Sequence, residues 1–251
     1  MFFCYRGRLG LGKCNSKVGV IENDHKNIFL IGGSGGVGQA LIHSNLFNSK
    51  TTCIPTYCSV KPNIEDLNWK YYNSRDTDGS KTTIQKLSEE LSIDMIVDAS
   101  GAFFASSLAK TSFETIQDVA LTNFTAPLAL SKMALEHLAP SGKIVFLSSI
   151  TSQLNIYGSS VYAASKLGLE KSISLLRPEF ERSGLAICGI RLGYMNFGMT
   201  YKISEQLRNE IRESLPDSEF LGIKVLSDLL LRILHSDIPS VNGKIFEITR
   251  N

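Results

Sequence analysis

From Asn27 onward, short apolar runs alternate with stretches whose apolar residues recur at helical spacing. Residues 28–31 form an apolar run that ends in glycines, as a buried parallel strand does. Residues 37–47 predict a helix and 51–57 a second strand, which Pro55 weakens by removing a backbone donor. Residues 68–72 predict a third strand. Residues 82–91 predict an amphipathic helix, with Ile84, Leu87 and Leu91 on one face. A fourth strand follows at 93–98, then a long helix at 113–138 that Pro140-Ser141-Gly142 stops. Residues 143–148 predict a fifth strand, and 162–182 a helix with Pro178 as kink or boundary. A sixth strand at 185–192, a helix at 225–235 and a last strand at 244–249 complete the pattern. Between them, residues 193–220 are mixed and polar.

Alternating strands and helices predict an α/β fold: a doubly wound parallel sheet, Rossmann-like, in three layers (helix, sheet, helix). The chain has 251 residues, 43% of them hydrophobic, and no internal repeat or linker divides it. One domain over residues 27–251 is expected, with a substrate loop at about 193–220. In such sheets ligands bind at the carboxyl ends of the strands.

The leader is different. Residues 1–21 carry Arg6, Arg8, Lys13 and Lys17 and no acid, but lack the serine enrichment and amphipathic period of a transit peptide. Residues 1–26 are expected to be a poorly ordered N-terminal extension. A formal net charge of +2 gives no electrostatic reason for nucleic acid or an anionic membrane as a partner. No apolar run reaches transmembrane length. The cysteines (4, 14, 53, 58 and 188) are odd in number and form no C-x-x-C pair, which fits free thiols in a reducing cytoplasm. The histidines at 25, 43, 137 and 235 have no metal-ligand spacing, so no metal is expected.

Chemistry enters at Ile31-Gly32-Gly33-Ser34-Gly35-Gly36-Val37-Gly38, between the first strand and the first helix. Glycines there let the backbone turn sharply and approach a pyrophosphate at a helix N-terminus. A second constellation lies later. Tyr162 and Lys166 are four apart on one helical face, and Ala163, Ala164 and Ser165 between them permit close packing. A tyrosine is a poor base near neutral pH unless a nearby cation lowers its pKa, which the lysine and an oxidised nicotinamide ring could do together. Ser149 stands thirteen residues before Tyr162, just past the fifth strand, where its hydroxyl can bind a substrate oxygen. Tyr57 and Lys61 repeat the Tyr-x-x-x-Lys spacing, but Pro62 disfavours helix there, and the matching Ser44 falls inside the first expected helix.

These segments resemble the short-chain dehydrogenase/reductase family over residues 27–251. The resemblance rests on Gly32, Gly36 and Gly38 in a G-x-x-x-G-x-G spacing, on Gly142 to Ser149, and on Tyr162-Ala-Ala-Ser-Lys-Leu-Gly-Leu169. It implies hydride transfer between a nicotinamide cofactor and a carbonyl or secondary alcohol. Tyr162 is then the proton donor or acceptor, with Ser149 and Lys166 as partners and Asn123, in Leu-Thr-Asn-Phe-Thr-Ala-Pro, supporting a water relay. It assigns cofactor contacts to Gly32, Ser34, Gly36, Val37, Gly38, Asp76, Ala99, Gly101, Gly193 and Met195, as well as to Tyr162 and Lys166. No Asp or Glu occurs between Gln39 and Ile64, whereas Ser59 and Lys61 could meet a 2′-phosphate, which favours NADP over NAD. The family also implies a homodimer or homotetramer built on the two long helices.

The chain departs from the family pattern in places. Asp98-Ala99-Ser100-Gly101 stands for Asn-Asn-Ala-Gly, Ile31 for a Thr, and Leu192 for a Pro, while Phe197 falls where a Thr often binds the carboxamide. These changes keep open a catalytically silent dinucleotide-binding regulator or assembly subunit. An epimerase or dehydratase of the longer branch is disfavoured, because too little chain follows Gly193 for a second domain.

Overall fold

A computed structural model describes residues 25–249, apart from 45, 65, 196, 199–204, 206–208, 210–212 and 214–219. Seven strands form one sheet in the order β3-β2-β1-β4-β5-β6-β7. They are β1 (Lys26–Ile31), β2 (Thr51–Tyr57), β3 (Lys70–Tyr71), β4 (Met95–Asp98), β5 (Lys143–Ser149), β6 (Ala186–Leu192) and β7 (Ile245–Ile248), and every neighbouring pair is parallel. The helices are α1 (Gly36–Ile42), α2 (Thr77–Glu90), α3 (Phe113–Ala120), α4 (Ala126–His137), α5 (Ser160–Arg182), α6 (Ile223–His235) and the single turn α7 (Ile238–Val241). This is the expected doubly wound, three-layer Rossmann-like domain.

Strand alternation divides the core. Successive side chains on a strand point to opposite faces. Ile28 and Leu30 of β1, Val145 and Leu147 of β5, and Cys188 and Ile190 of β6 therefore join one buried cluster, with Leu41 of α1 and Leu226, Leu230 and Ile233 of α6. Phe29 and Ile31, Ile144 and Phe146, and Ile187 join the other, with Ile84 of α2, Leu130 of α4 and Leu169 and Ile173 of α5. Both faces are covered, so the strands read as nearly continuous apolar runs. Pro55 is tolerated in β2 because the short β3 pairs only from Thr56 onward.

Some elements differ from expectation. The helix expected over 37–47 stops at Ile42, since the Ser44 hydroxyl donates to Leu41 O and accepts from Leu46 N, drawing the backbone into a turn. Ser44 thus lies beyond α1, not within it. The helix expected from Thr82 starts at Thr77, because the Asp76 carboxylate caps it by accepting from Gly79 N at 3.0 Å. The expected third strand shrinks to two residues. The long helix expected over 113–138 is interrupted by a π turn at Leu121–Thr125. Residues 1–24 of the expected extension and most of the expected substrate loop lie outside the described residues, and β1 already begins at Lys26. Among the described residues, no helix is long and apolar enough to cross a membrane, and no group of His, Cys, Asp or Glu could hold a metal ion.

Candidate active site

The strand order reverses beside β1: the chain runs outward to β2 and β3, then crosses over to β4. The glycine loop leaves β1 and residues 98–101 leave β4 at this point, and the two loops touch. Gly32 has φ +76°, and a Cβ there would fall 2.8 Å from Ala99 C and Ser100 N. A Cβ on Gly38 would fall 2.2 Å from Gly32 O, so the first turn of α1 can lie on the loop only without side chains. The N–H groups of Ser34 and Gly35 are spent on Thr56 O (3.1 Å) and Gly32 O (2.9 Å). The N-terminus of α1 carries no acid in its first turn and no side-chain cap, and Gly35 and Gly36 are exposed. A nucleotide pyrophosphate fits this cradle: backbone can approach backbone, and the partial positive end of the helix faces outward. Residues 197–198, after β6, reach the same place, where a Cβ on Gly36 would meet Gly198 Cα at 2.5 Å. Phe197 packs against the apolar cluster that also holds Val37.

Next to this cradle, β5 ends at Ser149. Its hydroxyl accepts from Thr151 Oγ1 at 2.8 Å and caps the short turn Ile150–Gln153. α5 then places Tyr162 and Lys166 one turn apart on its buried face, each 4% exposed. The Lys166 ammonium donates to Leu147 O at 2.8 Å, pinning the helix to β5 two residues before Ser149. The Phe103 ring meets the Tyr162 ring edge to face, with centroids 5.1 Å apart.

Asn123 sits in the π turn and is 1% exposed. Its Oδ1 accepts from Ala102 N at 2.8 Å, while its Nδ2 donates to Ala102 O at 2.8 Å and to Ser165 Oγ at 3.1 Å. One amide thereby ties the loop after β4 to the α5 residue just before Lys166. The wider turn re-aims one side chain inward within an otherwise regular helix.

Burial dominates the electrostatics. It pushes the Tyr162 phenol up to about 12, against the pull of the Ser149 hydroxyl, and the nearby Tyr194 phenol adds to the rise. It pulls the Lys166 ammonium down to about 8, and the carboxylates of Asp98 and Glu170 oppose that fall. Asp98, at the end of β4, is itself held above its ordinary value by burial. Hydrogen bonds from the Ser100 N–H (2.9 Å) and hydroxyl (2.6 Å), and the Lys166 charge, work the other way. For Glu170, hydrogen bonds from Arg191, Ser148 and Ser152 outweigh burial and keep the carboxyl below its ordinary range.

The expected catalytic set is thus divided between two elements packed on each other, the end of β5 and the buried face of α5, with Asn123 linked to that face through Ser165. Of the expected cofactor residues, Gly32, Ser34, Ala99 and Gly101 lie in the two touching loops, and Gly36, Val37 and Gly38 form the first turn of α1. Gly193 and buried Met195 follow β6, where Gly193 N donates to Ile248 O and Met195 bridges to Leu221. Ser59 and Lys61 lie on exposed chain just past β2. Asp76 is occupied as the α2 cap. Sequence reading alone passes over Asp98 as an acid, Glu170, and Tyr194 beside Tyr162. Glu170 does carry a signal, since it continues the Tyr162–Lys166 spacing by another four residues.

Comparison with known proteins identifies the family. The chain matches the family model for short chain dehydrogenases over residues 26–208. It is similar to an acetoacetyl-CoA reductase of Cupriavidus necator, with 23% identity over 75% of this chain and 82% of that protein. It is also similar to a hydroxynaphthalene reductase of Aspergillus fumigatus, with 30% identity over 98 residues, a match that spans only 36% of that reductase's length. Among solved structures, a short chain dehydrogenase from Burkholderia cenocepacia in complex with NADP superposes with a TM-score of 0.79 at 20% identity, covering 89% of this chain and 96% of that one. A dehydrogenase/reductase from Sinorhizobium meliloti superposes with a TM-score of 0.77 at 21% identity, over 89% and 93% of the two chains. With the glycine cradle at the strand-order reversal and a match over most of its length, the chain belongs to the short-chain dehydrogenase/reductase family of oxidoreductases.

Proposed function

We propose that this protein interconverts a carbonyl compound and a secondary alcohol with a nicotinamide cofactor, and that Tyr162 is its general acid and base. One observation carries the reading: Tyr162 and Lys166 share the buried face of α5 beside Ser149, at the edge of the sheet where the glycine cradle opens. When bound, the cofactor supplies or accepts the hydride.

The chain's own residues do the rest. The hydroxyls of Ser149 and Tyr162 hold the substrate oxygen, and in reduction Tyr162 gives it a proton. In oxidation the phenol must lose that proton, and a group held near 12 cannot do so unaided at neutral pH. The Lys166 ammonium lowers that cost, and charge on an oxidised nicotinamide lowers it further. Asn123 holds the loop after β4 against α5 and supports a water path to Lys166.

NADP is the favoured cofactor. Ser59 and Lys61 are exposed after β2, with no acid between Gln39 and Ile64 to repel a 2′-phosphate, and the similar Burkholderia cenocepacia structure holds NADP. Exposed Phe113 (87%), Leu167 (49%) and Leu175 (65%) on α3 and α5 support a homo-oligomer built on these helices.

The test is Tyr162→Phe, assayed by NADPH oxidation against a panel of ketones beside titration of NADPH and NADH. Turnover should fall by roughly 10²–10⁴-fold with cofactor affinity retained. Undiminished turnover would remove Tyr162 from the chemistry.

A further inference from the structure

The site rests on a carboxylate that touches none of the reacting groups. Glu170 stands four residues after Lys166, as Lys166 stands four after Tyr162, so the three form one stripe along α5. It is 5% exposed, and both of its oxygens are in use. Oε1 accepts from Ser148 Oγ at 2.7 Å, Ser152 Oγ at 2.8 Å and Arg191 Nε at 3.1 Å. Oε2 accepts from Arg191 Nη2 at 2.7 Å and Gln153 Nε2 at 3.2 Å. Arg191 reaches on to Glu247 of β7 at 2.6 Å.

The donors fall in a telling order along the chain. Ser148 immediately precedes Ser149, and Ser152 and Gln153 lie in the turn that Ser149 caps. Glu170 therefore grips the Ser149 segment from both sides and fixes it to the helix that carries Tyr162 and Lys166. We infer that Glu170 is the positioning residue that sets Ser149 against Tyr162, with Arg191 as the counter-charge that makes its burial tolerable. A carboxylate suits this task where an amide would not, since it accepts at every lone pair and donates nowhere. Buried carboxylates are costly unless paired and hydrogen-bonded, and here the guanidinium makes a two-point contact.

A second consequence is electrostatic. The charged and titratable groups facing Lys166 are Asp98 from β4 and Glu170 from its own helix, with Tyr162 one turn away. Those facing Glu170 are Arg191 from β6, Lys166 and, through Arg191, Glu247 from β7. Removing the Glu170 charge leaves Asp98 alone to sustain the ammonium, which then gives up its proton at lower pH.

The inference rests on the proposed Tyr162 chemistry, and the experiment separates the two. Glu170→Gln keeps the side-chain shape and removes the charge. Its kcat should fall by roughly 10–100-fold, the scale of a displacement of about 1 Å at a reacting group. KM and NADPH affinity should stay within about threefold, and the alkaline limb of the kcat profile should move to lower pH. Glu247→Gln is the comparison, because it cuts the outer half of the same ion-pair network without touching the Ser149 turn. It should keep the wild-type kcat and pH profile. If Glu170→Gln and Glu247→Gln behave alike, the network is merely a cross-link between strands and the inference is wrong. If Glu170→Gln does not fold, Ser152→Ala with Gln153→Ala decides: a several-fold fall in kcat supports the inference and an unchanged kcat overturns it. If Tyr162→Phe retains turnover, the functional assignment itself falls. If the wild-type protein reduces nothing on the panel, crystal structures of wild type and Glu170→Gln settle the point. A Ser149 displaced from Tyr162 supports the positioning role, and superposable sites overturn it.

Discussion

Replacing Lys166 with methionine should make the protein more stable at pH 7 while removing its activity. The lysine is 4% exposed, and burial brings its pKa from 10.5 to about 8. A tenfold change in a protonation equilibrium is worth about 1.4 kcal/mol, so the folded state loses about 3 kcal/mol by holding the charged form. The folded pKa is depressed, so this cost is present in full well below pH 8. It shrinks as pH rises from about 8 toward 10.5 and is less than about 1 kcal/mol at pH 10. Methionine escapes the cost but forfeits the 2.8 Å bond to Leu147 O, worth about 1–2 kcal/mol to a buried carbonyl. The net gain is then about 1–2 kcal/mol at pH 7, turning to neutrality or a small loss at pH 10. The hydrogen-bond contribution enters at both pH values and cancels in the comparison. The quantity to measure is therefore the change in the mutational effect between pH 7 and pH 10, expected at about 2–3 kcal/mol. Urea denaturation of both proteins at both pH values supplies it. A Lys166→Met effect that is the same at pH 7 and pH 10 to within about 0.5 kcal/mol would refute the argument that burial strains this ammonium.

Three further outcomes follow from the same geometry. Asn123→Ala strands Ala102 N and O and should cost about 2–4 kcal/mol in urea unfolding; a loss below about 1 kcal/mol would mean that other contacts hold this loop. Gly38→Ala drives a Cβ to 2.2 Å from Gly32 O, so NADPH binding measured by calorimetry should weaken by at least about 100-fold, or the protein should fail to accumulate in soluble form. In the cofactor-free protein, the 295 nm absorbance of wild type minus Tyr162→Phe should stay flat through pH 10 and rise only near pH 12. Because this pKa is raised on folding, its stabilising effect is complete below pH 10 and is lost as pH climbs through about 12; ionisation near pH 10 would contradict the burial argument.

Much of the fold was legible because strand burial leaves a strong trace. Ile28–Ile31, Ile144–Leu147 and Ala186–Ile190 are apolar on both faces, as only strands covered by helices on each side need to be. What the pattern concealed were local hydrogen-bond decisions. Ser44 ends α1 five residues before the apolar period does, and Asp76 lets α2 start at Thr77, seven residues before its apolar face begins at Ile84. The π turn at Leu121–Thr125 left no trace, since residues 113–138 keep an acceptable helical period through it. Its purpose is visible only from the partner, because Asn123 meets Ala102 and Ser165, 21 and 42 residues away.

The candidate site shows in the sequence as a set of residue types, but its electrostatics do not. In the sequence, Asp98 looks like the loss of an amide from a familiar loop, and Glu170 like one more polar residue on α5. In the fold they are the two carboxylates whose fields reach the buried Lys166. Burial takes that ammonium down to about 8 even with both in place, which still leaves roughly nine molecules in ten protonated at pH 7. Either carboxylate removed would bring the balance nearer to even, and under the proposed chemistry less positive charge would then stand one turn from the Tyr162 phenol. The acid that stands for asparagine at position 98 therefore does more than fill a place at the end of β4. It helps this chain hold a buried lysine cationic, which is the condition the proposed proton transfer at Tyr162 requires.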